Sequence, residues 1–311
     1  MIFVIFPAAL AGAALLLLSI RYVRHRPRGF ARAFDDFRPA LATHRGYGKH
    51  ASIPENTVTA FQASEKLGFR AHELDVRRTR DRQIMLLHGP RLEETTDGHG
   101  RMEDSDAQTV KKLNAAHYIT HEHPTVKARR ESVPTLPEVL AAISPQALIN
   151  VEIKRDRWDF SRGLEEETLR LVLASPARDR VYFSGFHFLT LWRLRSLRCP
   201  LPVGLLVEPG IFSHSKNFLY RFLLLPDNIH LHESRESATY MQRLKRRGYG
   251  LAFWTVNNLE QVHRLFATGA DVVITDRMEF IRDFRRGPKN AKNLPGRAQR
   301  KKISRKRTAL A

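Results

Sequence analysis

AHELDVRRTRDRQIMLLH, residues 71–88, is the stretch of sequence that decides the fold. Its first part, residues 71–76, is predicted to be a buried strand that nevertheless carries two carboxylates, Glu73 and Asp75. Because side chains alternate along a strand, both carboxylates lie on the same face. Two acids on one face of an apolar strand need a metal ion, a basic partner or an exposed strand end. The stretch therefore predicts a functional site as well as a strand.

The second part of this stretch, residues 84–87, is another short apolar run. A parallel neighbour of the first strand would need a crossover of roughly a dozen residues, and the link between the two runs is too short for one. We therefore expect residues 84–87 to fold back as the antiparallel arm of a hairpin. A turn about Asp81 and Arg82 would place His88 opposite Asp75.

On both sides of the hairpin, apolar strand patterns alternate with helix patterns. Besides residues 71–76 and 84–87, the predicted strands are 41–44, 147–154, 180–184, 202–207, 228–232, 250–256 and 271–275. Strands joined by helical crossovers form a parallel sheet. With the hairpin arm set aside, eight strands remain, which predicts an α/β fold, a TIM (β/α)₈ barrel over residues 40–284. The polar residues 89–133 are predicted to form a small inserted lobe.

The N-terminal segment differs from the barrel in composition. Residues 1–20 carry no charged side chain and are long enough to cross a hydrocarbon core of about 30 Å, which predicts a transmembrane helix. Residues 21–39 form a basic linker. By the positive-inside rule, this order predicts a single-pass membrane protein whose catalytic domain is cytoplasmic. The alternative is a cleaved signal peptide and an exported domain.

The overall charge is strongly positive and concentrated at the C-terminus. The formal net charge of the 311 residues is +20, and residues 285–311 contain eleven Lys or Arg and no acid. We predict a disordered basic tail that is attracted to an anionic membrane surface. No aromatic interleaving supports specific nucleic-acid binding. The single cysteine excludes an intramolecular disulfide.

Charged residues are predicted to converge at the C-terminal ends of the barrel strands, where TIM barrels carry their active sites. These residues are His44, Arg45, Glu73, Asp75, His88, Glu152 and Lys154. A cluster of carboxylates without cysteine suits Mg²⁺ or Ca²⁺ better than zinc. Arg45 and Lys154 would supply positive charge to an anionic oxygen, as phosphoryl chemistry requires.

Several short motifs in this sequence occur together in a known family. They are HRG at 44–46, PENT at 54–57, ELDV at 73–76, His88, TTDG at 95–98, VEIK at 151–154, FWTVN at 253–257 and ITD at 274–276. In this order and spacing the sequence closely resembles the glycerophosphodiester phosphodiesterase family, from about residue 41 to residue 280. One position departs from the family pattern: Gly89 follows His88, where the family usually has Asp.

The resemblance implies a divalent-cation-dependent TIM barrel, with Mg²⁺ or Ca²⁺ as cofactor, that hydrolyses glycerol phosphodiesters. It implies Glu73, Asp75 and Glu152 as metal ligands, His44 and His88 as general acid and base, Arg45 and Lys154 as phosphate ligands, and Trp254 against the substrate at the mouth. In the family scheme, a glycerol hydroxyl attacks phosphorus with the help of one histidine while the other protonates the leaving alcohol. A water molecule then opens the cyclic phosphate.

Gly89 affects both the expected site and the expected substrate. Its lack of a carboxylate weakens the support expected for His88. A glycine at this position is also a point of resemblance to the related sphingomyelinase D enzymes, which act on lysophospholipids. We therefore predict a membrane-anchored enzyme that cuts glycerophosphodiesters, or lysophospholipids as a lysophospholipase D, to an alcohol and a glycerol phosphate or lysophosphatidic acid. The alternative is a catalytically silent, membrane-anchored lipid-binding scaffold, and convergence of the carboxylates with both histidines would argue against it.

Overall fold

A computed structural model describes residues 2–30, 34, 37–48, 52–122, 128–156, 160–210 and 213–286. Residues 2–12, 120–122, 213, 214 and 216 are described by their backbone only. The strands are β1 (Ala40–Thr43), β2 (Ala71–Arg78), β3 (Ile84–Leu86), β4 (Leu148–Ile153), β5 (Val181–Gly185), β6 (Val203–Val207), β7 (Asn228–His232), β8 (Gly250–Trp254) and β9 (Val272–Thr275). Within these described residues, all strands except β3 pair in parallel.

The parallel strands close into a barrel at β1. Thr43 of β1 pairs with His72 of β2, and on the other side β1 pairs with β9, from Ala40 with Val272 to Thr43 with Thr275. Since β1 has a parallel neighbour on each side, the sheet has no gap between its first and last strands. The predicted TIM barrel is confirmed.

The described residues form eleven α-helices, most of which lie between consecutive strands of the chain. They are α1 (Ile2–Arg24), α2 (Val58–Leu67), α3 (Ala107–Lys111), α4 (His117–Glu122), α5 (Leu136–Ala142), α6 (Leu164–Ala174), α7 (Phe188–Ser196), α8 (Ser213–Leu224), α9 (Ala238–Arg246), α10 (Leu259–Thr268) and α11 (Phe280–Arg286). Helix α2 shows how the sequence sets these limits: the Thr57 side chain caps its start by accepting a hydrogen bond from the backbone N–H of Ala60. Gly68, at φ 102°, ends it in the left-handed conformation that glycine tolerates best.

The predicted hairpin is confirmed, but its register differs from the prediction by one residue. Strand β3 runs antiparallel to the C-terminal part of β2, with Val76 opposite Leu86 and Arg78 opposite Ile84. The turn is thus centred on Asp81 rather than between Asp81 and Arg82, because the N–H of Thr79 bonds to the carbonyl of Gln83 at 2.9 Å. In that register His88 would face Leu74 instead of Asp75. Strand β3 also ends at Leu86, so His88 lies beyond the pairing.

The inserted lobe is a compact unit above the hairpin. It contains α3, α4 and short 3₁₀ turns at Leu92–Glu94 and Met102–Asp104. A small apolar cluster of its own joins Met102 and Val110 to Met85 and Leu87 of the hairpin. The lobe is therefore packed directly on the segment that leads to His88.

The predicted transmembrane helix over residues 1–20 is not confirmed. Among the described residues, no helix is long and apolar enough to cross a membrane. Residue 1 and the side chains of residues 2–12 lie outside the description. The C-terminal end of α1 instead packs against the barrel, since the Tyr22 ring lies 5.4 Å from that of Phe222 and 6.2 Å from that of Phe218 on α8, between ring centroids.

The predicted linker and tail boundaries also change. Within residues 21–39, predicted as a linker, Arg28 forms an ion pair of 2.8 Å with Asp227 and Phe30 is buried beneath the barrel against Tyr182. Arg28 and Phe30 are therefore fixed near the N-terminal ends of the strands. At the other end, Arg285 belongs to α11. The rest of the predicted tail, residues 287–311, lies outside the described residues.

Candidate active site

Three buried carboxylates meet at the C-terminal end of neighbouring strands. Glu73 and Asp75 lie on β2, and Glu152 lies on β4 directly opposite Asp75. One carboxylate oxygen from each residue lies within 4.8 Å of the other two. The period-two argument and the parallel register together produce this cluster, as the sequence predicted.

Two basic side chains offset the negative charge of the cluster. Lys154 follows β4, and its Nζ lies 3.0 Å from Oδ1 of Asp75 while also pairing with Glu152. On the other side, Nε of Arg45 lies 3.3 Å from Oδ2 of Asp75. Both predicted phosphate ligands are therefore in contact with the predicted metal ligands.

The carboxyl groups of the cluster have pKa values displaced in opposite directions. Burial, together with the neighbouring charges of Asp75 and Glu152, raises the pKa of Glu73 well above its usual value. Burial also raises the pKa of Glu152. Although burial acts in the same sense on Asp75, Lys154 and Arg45 outweigh it and hold the pKa of Asp75 below its usual range. Burial thus disfavours the charged forms of Glu73 and Glu152, while the two basic neighbours favour the charged form of Asp75.

The donor atoms of the cluster fit a divalent cation. Oε1 of Glu73 is buried and has no hydrogen-bond partner among the described residues. A buried carboxylate oxygen without a partner is costly unless a cation or another donor contacts it. Since the converging ligands of Glu73, Asp75 and Glu152 are all oxygens, Mg²⁺ or Ca²⁺ suits them, in agreement with the sequence expectation.

Residues around the cluster that the sequence reasoning did not single out hold it in place. The Asn56 amide donates to Oδ2 of Asp75 at 3.0 Å and accepts from the backbone N–H of Asp75 at 3.1 Å. Glu55 accepts two hydrogen bonds from Nη1 of Arg45, at 2.9 and 3.0 Å. The backbone N–H of Arg45 in turn donates to Oε2 of Glu73 at 2.9 Å. The PENT motif at 54–57 was the signal for Glu55 and Asn56, although their contacts could not be read from it.

His44 is held by an acidic partner from the opposite end of the chain. Its Nδ1 lies 2.7 Å from Oδ1 of Asp276, and the other oxygen of Asp276 accepts from Nδ2 of Asn257 at 2.9 Å. Burial would raise the pKa of Asp276, but these hydrogen bonds, the one to His44 foremost, lower it to about 2. Asp276 is therefore ionised at neutral pH and fixes the His44 ring with Nε2 left for chemistry.

His88 belongs to the same site. Burial lowers its pKa to about 3, while the nearby charge of Asp75 acts to raise it and those of Lys154 and Arg45 lower it further. His44 is also among the charges that act on it. Although the predicted register opposite Asp75 was wrong, His88 is thus within electrostatic reach of Asp75. At neutral pH its imidazole is therefore uncharged.

The space beside Gly89, the residue after His88, is occupied by the carboxylate of Glu94. A Cβ atom placed on Gly89 would lie 1.8 Å from Oε2 of Glu94. Oε1 of Glu94 accepts a hydrogen bond from the backbone N–H of Arg91 at 3.1 Å, which holds the carboxylate in this place. Glu94 therefore occupies the space that a side chain at position 89 would need.

Trp254 is the last residue of β8 and lies among other aromatic side chains, while its contact with substrate stays a prediction. Its ring packs edge-on against Phe186 and His232, with centroid distances of 5.3 and 5.1 Å. Nζ of Lys154 lies 5.9 Å from the centroid of Phe186. Phe186 is thus the ring of this group that lies near Lys154, which pairs with Asp75 and Glu152.

Comparison with known proteins identifies the family of the barrel. Residues 44–280 match the Glycerophosphoryl diester phosphodiesterase family. The chain belongs to this family. The phosphodiesterase is 30% identical over 244 residues to glycerophosphodiester phosphodiesterase of Caldanaerobacter subterraneus subsp. tengcongensis, covering 78% of this chain and 95% of that relative. It is 25% identical over 260 residues to glycerophosphodiester phosphodiesterase of Bacillus subtilis, and this match covers 78% of this chain and 85% of that relative.

Solved structures share the fold of this phosphodiesterase. A phosphodiesterase from Oleispira antarctica, in complex with the product sn-glycerol-3-phosphate, superposes with a TM-score of 0.66 at 24% identity and covers 82% of this chain and 99% of its own. The glycerophosphodiester phosphodiesterase from Thermotoga maritima superposes with a TM-score of 0.61 at 23% identity and covers 79% of this chain and 97% of its own. The protein is accordingly a glycerophosphodiester phosphodiesterase, a phosphoric diester hydrolase. The convergence of the three carboxylates beside His44 and His88 argues against a catalytically silent scaffold.

Proposed function

We propose that this phosphodiesterase uses a divalent cation and the His44–His88 pair to release a glycerol phosphate from glycerophosphodiesters. The observation that carries the proposal is the group of buried oxygens of Glu73, Asp75 and Glu152 within 4.8 Å of one another, with Oε1 of Glu73 unpaired. Glu73, Asp75 and Glu152 would hold the cation. When bound, it would stabilise negative charge on the phosphoryl oxygens as a Lewis acid.

The hydrogen bonds around the histidines support different roles for them. Asp276 bonds to Nδ1 of His44 and orients its ring, so His44 is assigned as the acid that protonates the leaving alcohol. His88, uncharged at neutral pH, is assigned as the base that takes the proton from the attacking glycerol hydroxyl. The P–O bond to the leaving alcohol breaks as the bond to the glycerol oxygen forms, and water then opens the cyclic phosphate. Lys154 and Arg45 provide positive charge beside the phosphate.

The assay that tests this proposal is the release of glycerol phosphate from glycerophosphocholine by the purified full chain. We expect turnover with Mg²⁺ or Ca²⁺, loss of turnover with EDTA, and recovery when the ion is added back. His44→Ala should lose most activity towards choline as leaving group but much less towards 4-nitrophenol, which leaves without protonation. Turnover that EDTA does not affect, or equal losses on both leaving groups, would contradict the proposal.

We propose further that the enzyme works at an anionic membrane surface, with the barrel on the cytoplasmic side, and that lysophospholipids are a second substrate class. Support comes from α1, where Leu15, Leu16 and Leu17 are 60%, 61% and 67% exposed. Arg21 and Arg24 follow them in the last turn of the helix. Apolar side chains next to basic ones suit the boundary between lipid tails and anionic head groups. The basic sequence of residues 287–311 adds to this attraction.

Two measurements test the membrane proposal. The full chain should float with vesicles that contain phosphatidylglycerol. Added salt should release less of it from the vesicles than of a Leu15→Ser/Leu16→Ser/Leu17→Ser variant. It should also cut lysophosphatidylcholine to lysophosphatidic acid and choline. Protease added to intact cells should leave the barrel uncut, whereas digestion would favour an exported domain. Equal flotation with anionic and neutral vesicles would contradict binding to an anionic surface. Absence of product from lysophosphatidylcholine would contradict lysophospholipids as substrates.

A further inference from the structure

Arg77 is a buried arginine whose guanidinium reaches three separate segments. It lies on β2, two residues after Asp75, and only 4% of it is exposed. Its Nε donates to the backbone carbonyl of His88 at 3.2 Å. Its Nη1 donates to Oε1 of Glu103 and Oδ1 of Asp156, both at 3.1 Å. A single side chain therefore ties the barrel to the histidine, to the lobe and to the segment after β4.

His88 depends on contacts of this kind because it has little other support. No hydrogen bond to its imidazole ring is found in the part of the chain that the structure describes, whereas the ring of His44 is bonded to Asp276. The antiparallel ladder ends at Leu86, before His88. The next residue, Gly89, has no side chain that could hold the backbone. The position of the His88 ring is therefore set through its own main chain.

The acids that bind Arg77 are themselves fixed. Glu103 lies in the 3₁₀ turn Met102–Asp104 of the lobe, and Asp156 lies two residues after Lys154. Arg101 pairs with Asp156 and also lies 3.5 Å from Oε2 of Glu103. Two guanidinium groups and two carboxylates thus form a network without net charge. Because Arg77 is bonded on several sides, it has no freedom to release the His88 carbonyl.

We propose that Arg77 is a positioning residue for His88: through this network it fixes the backbone carbonyl of His88 and so holds the imidazole against the reacting site. The inference rests on the proposed function, in which His88 acts as the base. Arg77 itself touches neither substrate nor the reacting atoms in this account. It acts through the geometry of His88, so its loss should slow the chemical step more than it weakens substrate binding.

The first test compares the same substitution at two arginines of one hairpin. Lysine keeps the charge of Arg77 but cannot donate to the His88 carbonyl and to both acids at once. Arg77→Lys should lower kcat about 10- to 100-fold and leave KM within about twofold. Arg80 is the matched control, because its ion pair with Asp106 also joins the hairpin to the lobe but is exposed to solvent. Arg80→Lys should leave both parameters within about twofold.

The second test asks whether Arg77 acts through His88. In a double-mutant cycle, measured with a 4-nitrophenyl diester of glycerol phosphate, Arg77→Lys should cause no further loss of kcat in a His88→Ala background. A full additional loss there, or wild-type kcat in Arg77→Lys, would overturn the inference. If circular dichroism shows that Arg77→Lys does not fold, Glu103→Gln replaces it in the test. We expect Glu103→Gln to lower kcat by a smaller factor. A wild-type kcat in Glu103→Gln would contradict the inference. Full activity of His88→Ala would instead refute the proposed function.

Discussion

At the scale of single residues, the sequence predicted which carboxylates converge but not the residues that support them. Glu73, Asp75 and Glu152 converge because alternation along a strand and pairing between parallel strands are both local rules. Asp276 and Asn56 reach the site through side-chain contacts with partners that are distant in sequence. Motifs marked these positions, but only the closed barrel shows which atoms meet.

Asp276 offers a direct prediction at this scale. Asp276→Asn retains the size of the side chain but removes the carboxylate that bonds to Nδ1 of His44 and orients its ring, so kcat should fall about 10- to 100-fold. The loss should be larger for an alkyl leaving group than for 4-nitrophenol. Steady-state rates on both substrates measure this, with the exposed Asp179→Asn as control. Wild-type rates in Asp276→Asn would show that His44 does not need this partner.

Gly89 and Glu94 are predicted to depend on each other. Gly89→Asp introduces a side chain where the Glu94 carboxylate lies, so two acids would occupy one place and activity should fall at least about tenfold. Removing the obstacle with Glu94→Ala in the same chain should restore much of the loss. The measurement is kcat for the two single variants and the double variant. If the double variant is as impaired as Gly89→Asp alone, the overlap is not the cause.

At the scale of secondary-structure elements, the sequence predicted the type of each strand more reliably than its register. The short link between β2 and β3 ruled out a parallel crossover, so the hairpin could be recognised from chain length alone. Its centre could not, because the hydrogen bond between Thr79 and Gln83 moves the turn by half a residue. In that register His88 would face Leu74, and because β3 ends at Leu86, His88 lies beyond the ladder. In our proposal, Arg77 and its partners in the lobe position His88 instead of the ladder.

Helix α2 gives a stability prediction for an element. The Thr57 hydroxyl caps its first turn, next to Asn56 in the active site. Thr57→Ala should lower the free energy of unfolding by about 1 kcal/mol, because an N–H of the first turn loses its partner. Urea denaturation measures the change, and Thr57→Ser, which retains the hydroxyl, should lose much less. Equal losses for alanine and serine would mean that packing of the Thr57 methyl group dominates instead.

At the scale of the whole molecule, a buried histidine predicts how stability varies with pH. Burial lowers the pKa of His230 to about 3, and its Nε2 lies 2.7 Å from Oδ1 of Asn228 inside the barrel. In the unfolded chain the pKa is about 6.5. Between these values the unfolded state binds a proton that the folded state does not. The contribution of His230 to stability is therefore complete above about pH 6.5 and is lost as pH falls towards 3.

Replacing this histidine should flatten the acid side of the stability profile. His230→Gln cannot take up a proton, so the drop in unfolding free energy between pH 6 and pH 4 should be smaller by about 2 kcal/mol than in the wild type. Urea denaturation at several pH values measures the slope, with His99→Gln on the surface as control. An unchanged slope in His230→Gln would show that this histidine does not set the acid sensitivity.

The central claim for the whole molecule is that Glu73, Asp75 and Glu152 bind the cation on which hydrolysis depends. The most direct measurement is the turnover of glycerophosphocholine by metal-stripped protein, titrated with Mg²⁺ or Ca²⁺, in the wild type and in Glu73→Gln. We predict no turnover without metal, saturable activation of the wild type, and an activation curve for Glu73→Gln shifted at least about tenfold to higher metal concentration or abolished. Identical activation curves for the two proteins, or full turnover without metal, would contradict the account.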